Sequence, residues 1–187
     1  VDACQIPENI LKAITTRALV ETCLSYPLYL NYMAYNDLDQ GIISVISRFN
    51  GLSELYSRSN AITSILDVYE KMKVQVTATW TDGSMDFAFH IAYFEMVMSA
   101  DCFFNKFTTS ERTRLKTALW QKLYDRVQDP EHYSLFSIIE GLHLYAKVLK
   151  AQNDPVYVSN KVLIDYVSSV CRVRDQQYID FANLIFF

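Results

Sequence analysis

Apolar residues recur at helical spacing along most of this chain, and the breaks between the periodic segments are sharp. Pro7 opens a first short helix around Glu8 to Ala13, where its missing N–H costs nothing. Thr15 can cap a helix from Thr16 to about Ser25, which Tyr26-Pro27 stops. Two acids, Asp37 and Asp39, favour the start of a helix running to Phe49, and Asn50-Gly51 reads as its left-handed stop. Leu52 to Arg58 and Asn60 to Lys73 follow, the second with Ile62, Ile65, Leu66 and Tyr69 on one side.

The period then changes. Val74, Val76, Ala78 and Trp80 alternate with Gln75, Thr77, Thr79 and Thr81, a strand-like pattern that reads as an extended linker over 74–83. Phe87, Ile91, Phe94 or Glu95, and Met98 return to helical spacing. Thr108 and Glu111 form a capping box opening a helix to about Val127, and Asp129-Pro130 ends it. Leu135, Ile138, Ile139, Leu142, Ala146 and Leu149 mark a helix widened by Phe136, Leu144 and Val148, so that both of its sides should be buried. Ser159 can cap a further helix carrying Val162, Leu163, Tyr166, Val167 and Val170, and the apolar end from Tyr178 to Phe187 should dock. The expected fold is all-α: an antiparallel array of about eight helices in one domain over 1–187, with helical halves at about 1–73 and 84–187.

Composition narrows the function classes. Half of the 187 residues are apolar and a fifth are charged, as in ordered globular proteins. A net charge of −4 argues against wrapping a nucleic acid, whose affinity comes from lysines and arginines. The longest aromatic stretch, Phe87 to Phe107, is interrupted by His90, Glu95, Asp101, Asn105 and Lys106, so no membrane span is expected. The chain begins with Val, as a processed or trimmed chain would, and Asp2 fits poorly before a lipid-modified Cys4. Cys4, Cys23, Cys102 and Cys171 include no Cys-x-x-Cys pair, and buried free thiols are expected at Cys23 and Cys171.

The segments Ala3-Cys4-Gln5-Ile6-Pro7, Thr16 to Pro27 (TRALVETCLSYP) and Phe49-Asn50-Gly51-Leu52-x-Glu54-Leu55 with Arg58 resemble an uncharacterised family of exported proteins from Gram-negative gut and environmental bacteria. The resemblance covers about the first seventy residues, with a weaker echo from Phe89 to Met98. It implies a helical fold and an extracytoplasmic location: periplasmic, cell-surface or secreted. It brings no catalytic residue.

Candidate chemistry is sparse. Glu140 and His143 stand three apart, as ligands do on helices of di-iron bundles. A second such pair is missing, and His90 and His132 lie in no matching spacing, so neither metal nor cofactor is expected. Asp37-x-Asp39-x-Gly41 places its glycine too early for a calcium loop. Arg112, Arg114, Lys116, Lys122 and Arg126 spread around their helix and read as a solvated surface.

Tyr26, Tyr29, Tyr32 and Tyr35 recur every three residues around Pro27, and Trp80 lies in the linker. Exposed, such rings could stack on a sugar or grip a peptide; packed inward, they would join helices. The expectation is therefore a non-catalytic binding or protein-interaction module, with these five aromatics as the binding set and a protein or glycan as partner. The alternative is an enzyme, metal-dependent in one form, whose site gathers His90, Glu95, Glu140 and His143 from separated segments.

Overall fold

The computed structural model describes residues 4–35, 37–74, 82–130, 133, 138–161, 183, 185 and 186, with the backbone alone for 82–87. The fold is all-α, with no strand among the described residues. Its elements are α1 (Glu8–Ala13), α2 (Thr16–Leu24), a 3-10 segment (Tyr29–Ala34), α3 (Leu38–Arg48), α4 (Asn50–Ser57) and α5 (Ala61–Lys71). They are followed by α6 (Asp82–Ser99), α7 (Asp101–Phe104), α8 (Thr109–Val127), α9 (Ile139–Ala151) and α10 (Pro155–Val158).

The caps form where the sequence places them. The Thr15 hydroxyl accepts from the Ala18 amide, and the Asp37 carboxylate accepts from the Gln40 amide. Thr108 and Glu111 exchange both bonds of the capping box. Each satisfies amides that the first helical turn leaves without intrahelical acceptors.

The break at Asn50-Gly51 differs from the expected left-handed stop. No described glycine has a positive φ, and Gly51 lies inside α4, which begins at Asn50. The turn is made by Phe49 in an extended conformation. Asn50 instead pins the front of the chain: its side chain accepts from the Ile6 amide at 3.0 Å and donates to the Ile6 carbonyl at 2.8 Å. Gly51 is small for packing, since a Cβ there would stand 2.6 Å from the Phe49 ring and 2.9 Å from Ile6 Cδ1. The left-handed stop occurs at Asn153, where φ is 49° just beyond α9. α10 then starts on Pro155 behind an Asp154 cap, ahead of the helix expected from Ser159. α6 begins at Asp82, shortening the expected linker; residues 75–81 of that linker, and Val162 to Val170, lie outside the described residues.

α6 and α9 form the centre. Every residue from Ile91 to Ala100 is buried, and so are most of those from Ile139 to Leu149. Around this pair, α2 packs on α5, α5 and α9 pack on α8, and α3 packs on the 3-10 segment and α6. Buried residues from Leu19 on α2 to Leu149 on α9 join in one core, so the two helical halves share their interior. Helices buried this thoroughly place Glu95 of α6 and Glu140 and His143 of α9 inside the core.

Candidate functional site

Glu95 on α6 is completely buried, as is Arg126 on α8. They meet as an ion pair, with Arg126 Nη2 2.6 Å from Glu95 Oε1. The Tyr69 hydroxyl donates to the same carboxylate oxygen at 2.7 Å, and Arg126 Nε donates to the Lys122 carbonyl at 3.1 Å. Burial is the largest single influence and opposes a charge on Arg126, but the charge and hydrogen bond of Glu95 together with Tyr69 and Glu140 outweigh it and hold the guanidinium above its ordinary range. α9 closes over the pair at Gly141. A Cβ there would lie 2.6 Å from Glu95 Oε2 and 2.9 Å from Arg126 Nη2, so only glycine lets the helix approach the charges this closely.

Glu140, beside Gly141, is also buried, and its Oε1 accepts from the Tyr32 hydroxyl at 3.2 Å. Burial pushes its carboxyl up to about 7, with the nearby charge of Glu95 adding to the shift. Lys122 is largely covered: its ammonium donates to the Met72 carbonyl and lies 5.1 Å from the Tyr69 ring centre, and burial lowers its pKa. Lys122 and Arg126 therefore belong to the interior, not to the solvated surface expected of the basic residues on α8. A guanidinium tolerates such a place because its fixed fork meets a carboxylate directly and its planar charge is weakly hydrated.

His143 lies one turn further along α9 and reaches the wall of an open pocket of about 510 Å³. Asp39 on α3, Asp101 and Phe104 on α7, and Lys147 and Lys150 on α9 also line it. His143 Nε2 is 3.8 Å from Asp39 Oδ1, beyond hydrogen-bond reach. Burial pushes the imidazole down to about 4, and Lys147 adds to that shift, so the ring is neutral at physiological pH. Lys147 donates to the Ser99 carbonyl at 2.6 Å and to Asp101 Oδ1 at 2.8 Å, which holds the Asp101 carboxyl below its usual range. Asp39 behaves oppositely: burial raises its pKa against the pull of Lys147, with Asp37 and Asp101 adding to the rise.

Asp101 also ends a second, apolar groove of about 420 Å³. Ile43 and Ile46 of α3, Tyr56 of α4 and Cys102 of α7 form its walls. Ile43 is 55% exposed and Tyr56 41%, so the groove opens to solvent along its length. Lys106 lies over the Tyr56 ring, its ammonium 3.7 Å from the ring centre. The pocket and the groove share Asp101 as a lining residue; the pocket carries the charged side chains and the groove the apolar ones.

The expected aromatic set faces elsewhere. Tyr26 is buried and stacks on Phe49 at 4.1 Å between ring centres; Tyr29 is buried and stacks on His90 at 4.3 Å. Tyr32 is fully buried beside Tyr93, and the half-buried Tyr35 shares a 2.8 Å hydrogen bond with Ser44. These rings tie the 3-10 segment to α3 and α6, which is the packing role, and three of the four present no open face to a ligand. Trp80 lies outside the described residues, as do His132 and Cys171. Cys4, Cys23 and Cys102 are free, and burial pushes the Cys23 thiol up to about 12.

The residues weighed for catalysis come from separated segments and do not meet in one cavity. Glu95 and Glu140 are sealed near Arg126, His90 lies under Tyr29, and His143 alone lines the open pocket. Among the described residues no three His, Cys, Asp or Glu side chains gather as metal ligands. Asp39, Ile43, Tyr56 and Asp101 escape sequence reasoning because each fits a local role: helix start, helix face, helix face, interruption. The available signal is Ile42-Ile43 with Val45-Ile46, two more apolar residues than the inward face of α3 needs. Comparison with protein-family models, with characterised proteins and with solved structures finds no match to this chain.

Proposed function

We propose that the protein is a non-catalytic binding module whose ligand lies in the trough between α3, α4, α7 and α9. One observation carries the reading: a charged pocket and an exposed apolar groove both have Asp101 in their lining, and we read the two as one concave surface with two chemistries. Ligand sites combine apolar lining with a few polar groups that fix orientation, and this trough has that composition. The ionisable groups that acid–base chemistry would need are placed against it. Glu95 is neutralised by Arg126 inside the core, and a histidine titrating at about 4 is a poor base at neutral pH. An extracytoplasmic location is part of the proposal and rests on the sequence resemblance in the first seventy residues. No described helix is long and apolar enough to cross a membrane.

A basin of about 710 Å³ beside Trp120 is the competing concave surface. Its charges are already engaged, Arg114 with Asp67 and Glu70, and Lys122 with Met72. Nuclear magnetic resonance mapping of a dipeptide and oligosaccharide library on the full chain separates the two. Shifts clustered on Asp39, Ile43, Tyr56, Asp101 and Lys147 are the expected result; shifts centred on Trp120 and Arg114 would contradict it.

A further inference from the structure

None of the residues from Cys4 to Thr15 is buried, although the core begins directly behind them at Thr16, Leu19 and Val20. The segment is held from α4 instead. At its front, the Gln5 side chain donates to the Arg48 carbonyl at 2.8 Å and accepts from the Asn50 amide at 2.9 Å. Asn50 in turn holds the Ile6 main chain at both its amide and its carbonyl. At the rear, Arg58, which follows the last turn of α4, donates to the Leu11 carbonyl at 2.8 Å and the Ile14 carbonyl at 2.7 Å. Glu54 fixes that guanidinium at 2.9 Å. Between the two ends, Ile6, Leu11 and Ile14 rest partly buried against the core. Proteins hold peptide ligands in this way: main-chain hydrogen bonds supply the grip, and a few apolar side chains set the register.

We propose that residues 4–14 are an exchangeable strap, and that the α4 face beneath them is a peptide-docking site whose other occupant is the same segment of a second copy of this chain. The contacts define the occupant: a glutamine, an aliphatic residue held extended by the proline after it, and a short helix. A second copy meets each requirement by identity, and exchange of an identical element between protomers is a low-cost route to assembly. The rest of the chain does not need the strap. Thr15 caps α2 with its own hydroxyl, and Ile14 and Thr15 are both extended, which gives the strap a hinge. Within one chain the strap has an effective concentration on the order of millimolar, so the closed form prevails in dilute solution. Gln5, Asn50 and Arg58 are not among the residues lining the trough, so this site stands or falls independently of the binding reading above.

The test is fluorescence anisotropy on the full chain with a labelled, acetylated and amidated peptide of residues 4–14 carrying Cys4→Ser. Gln5→Ala in the chain removes both front contacts of the resident strap and leaves Asn50 and Arg58 for the peptide. That variant should bind the peptide about tenfold tighter than the wild type does, since the competitor has lost two hydrogen bonds. Adding Asn50→Ala should abolish the gain, because it removes part of the site itself. A Gln5→Ala chain that binds no tighter, or that fails to fold, would overturn the proposal, as would a gain that survives Asn50→Ala. Hydrogen exchange on the unaltered protein gives a second reading. The Ile6 amide should exchange through a local opening that leaves the Leu142 amide of α9 protected. Exchange of both only through global unfolding would show that the strap does not separate from the fold. Sedimentation of the wild type should show dimers as its concentration approaches the millimolar range; a chain monomeric throughout would overturn the second copy as occupant.

Discussion

Arg126→Leu is expected to destabilise the protein by about 3–5 kcal/mol, the cost of stranding a buried partner charge. The reason is the completeness of the burial: Arg126 and Glu95 both have 0% side-chain exposure, so no solvent can replace the lost guanidinium. The Tyr69 hydroxyl would remain as a donor to Glu95, which softens the loss without neutralising the charge. Glu95→Leu combined with Arg126→Leu should recover much of the stability, because the double change strands no charge and fills the same space with apolar atoms. Urea unfolding followed by circular dichroism reads both. A single variant as stable as the wild type, or a double variant worse than the single, would show that the pair is not the closed unit described above. Since a domain is stable by only about 5–15 kcal/mol in total, the single variant stands close to unfolding and the double variant keeps the test decisive.

The second large effect appears as a pH dependence. Glu140 has its folded pKa raised from 4.5 to about 7, so its proton stabilises the folded state. That contribution is full below 4.5 and is lost as pH rises through 7. His143 has its folded pKa lowered from 6.5 to about 4, so its neutral form stabilises the folded state. That contribution is full above 6.5 and is lost as pH falls through 4. Each amounts to about 3 kcal/mol across its window at about 1.4 kcal/mol per pH unit. Between 4.5 and 6.5 the two slopes have opposite signs and nearly cancel. Glu140→Gln should unmask the histidine, so its stability rises with pH across that interval relative to the wild type. His143→Asn should unmask the acid and give a fall of similar size. The raised pKa of Asp39 is common to all three proteins and drops out of the differences. Urea titrations at several pH values would contradict the account if the three profiles ran parallel.

Local signals in this chain were readable from the sequence; long-range pairings were not. Thr15, Asp37 and Thr108 with Glu111 cap helices as their residue types demand, because a cap is decided within four residues. The broad stripe on α9 announces a helix buried on both sides, and it is. Asn50-Gly51 misleads because the same dipeptide that suits a left-handed stop also suits a close approach, and the contacts of Asn50 with Ile6 lie more than forty residues away. Glu95 reads as an interruption of an aromatic stretch or as one acid of a dispersed enzyme site, and Arg126 as one base among five. Their meaning depends on α6, α8 and α9 converging at Gly141. The tyrosines show the same limit, since a three-residue spacing is common to an exposed turn and to a 3-10 segment; contacts with Phe49, His90 and Tyr93 decide for the interior. The trough itself is assembled from four helices, and no one of them carries its pattern.

The central claim is that this protein's buried charges maintain the fold while the trough carries the function. Repeating the dipeptide and oligosaccharide mapping on Glu95→Gln and on Ile43→Ser tests that separation directly. Glu95→Gln weakens a contact with Arg126 in the core and should unfold at lower urea, yet give the wild-type shifts with ligand where it is folded. Ile43→Ser changes a side chain that is 55% exposed on the groove, so it should unfold like the wild type and lose the ligand. The opposite pairing would contradict the account: full binding in Ile43→Ser, with binding lost in a folded Glu95→Gln, would place the function at the buried acid.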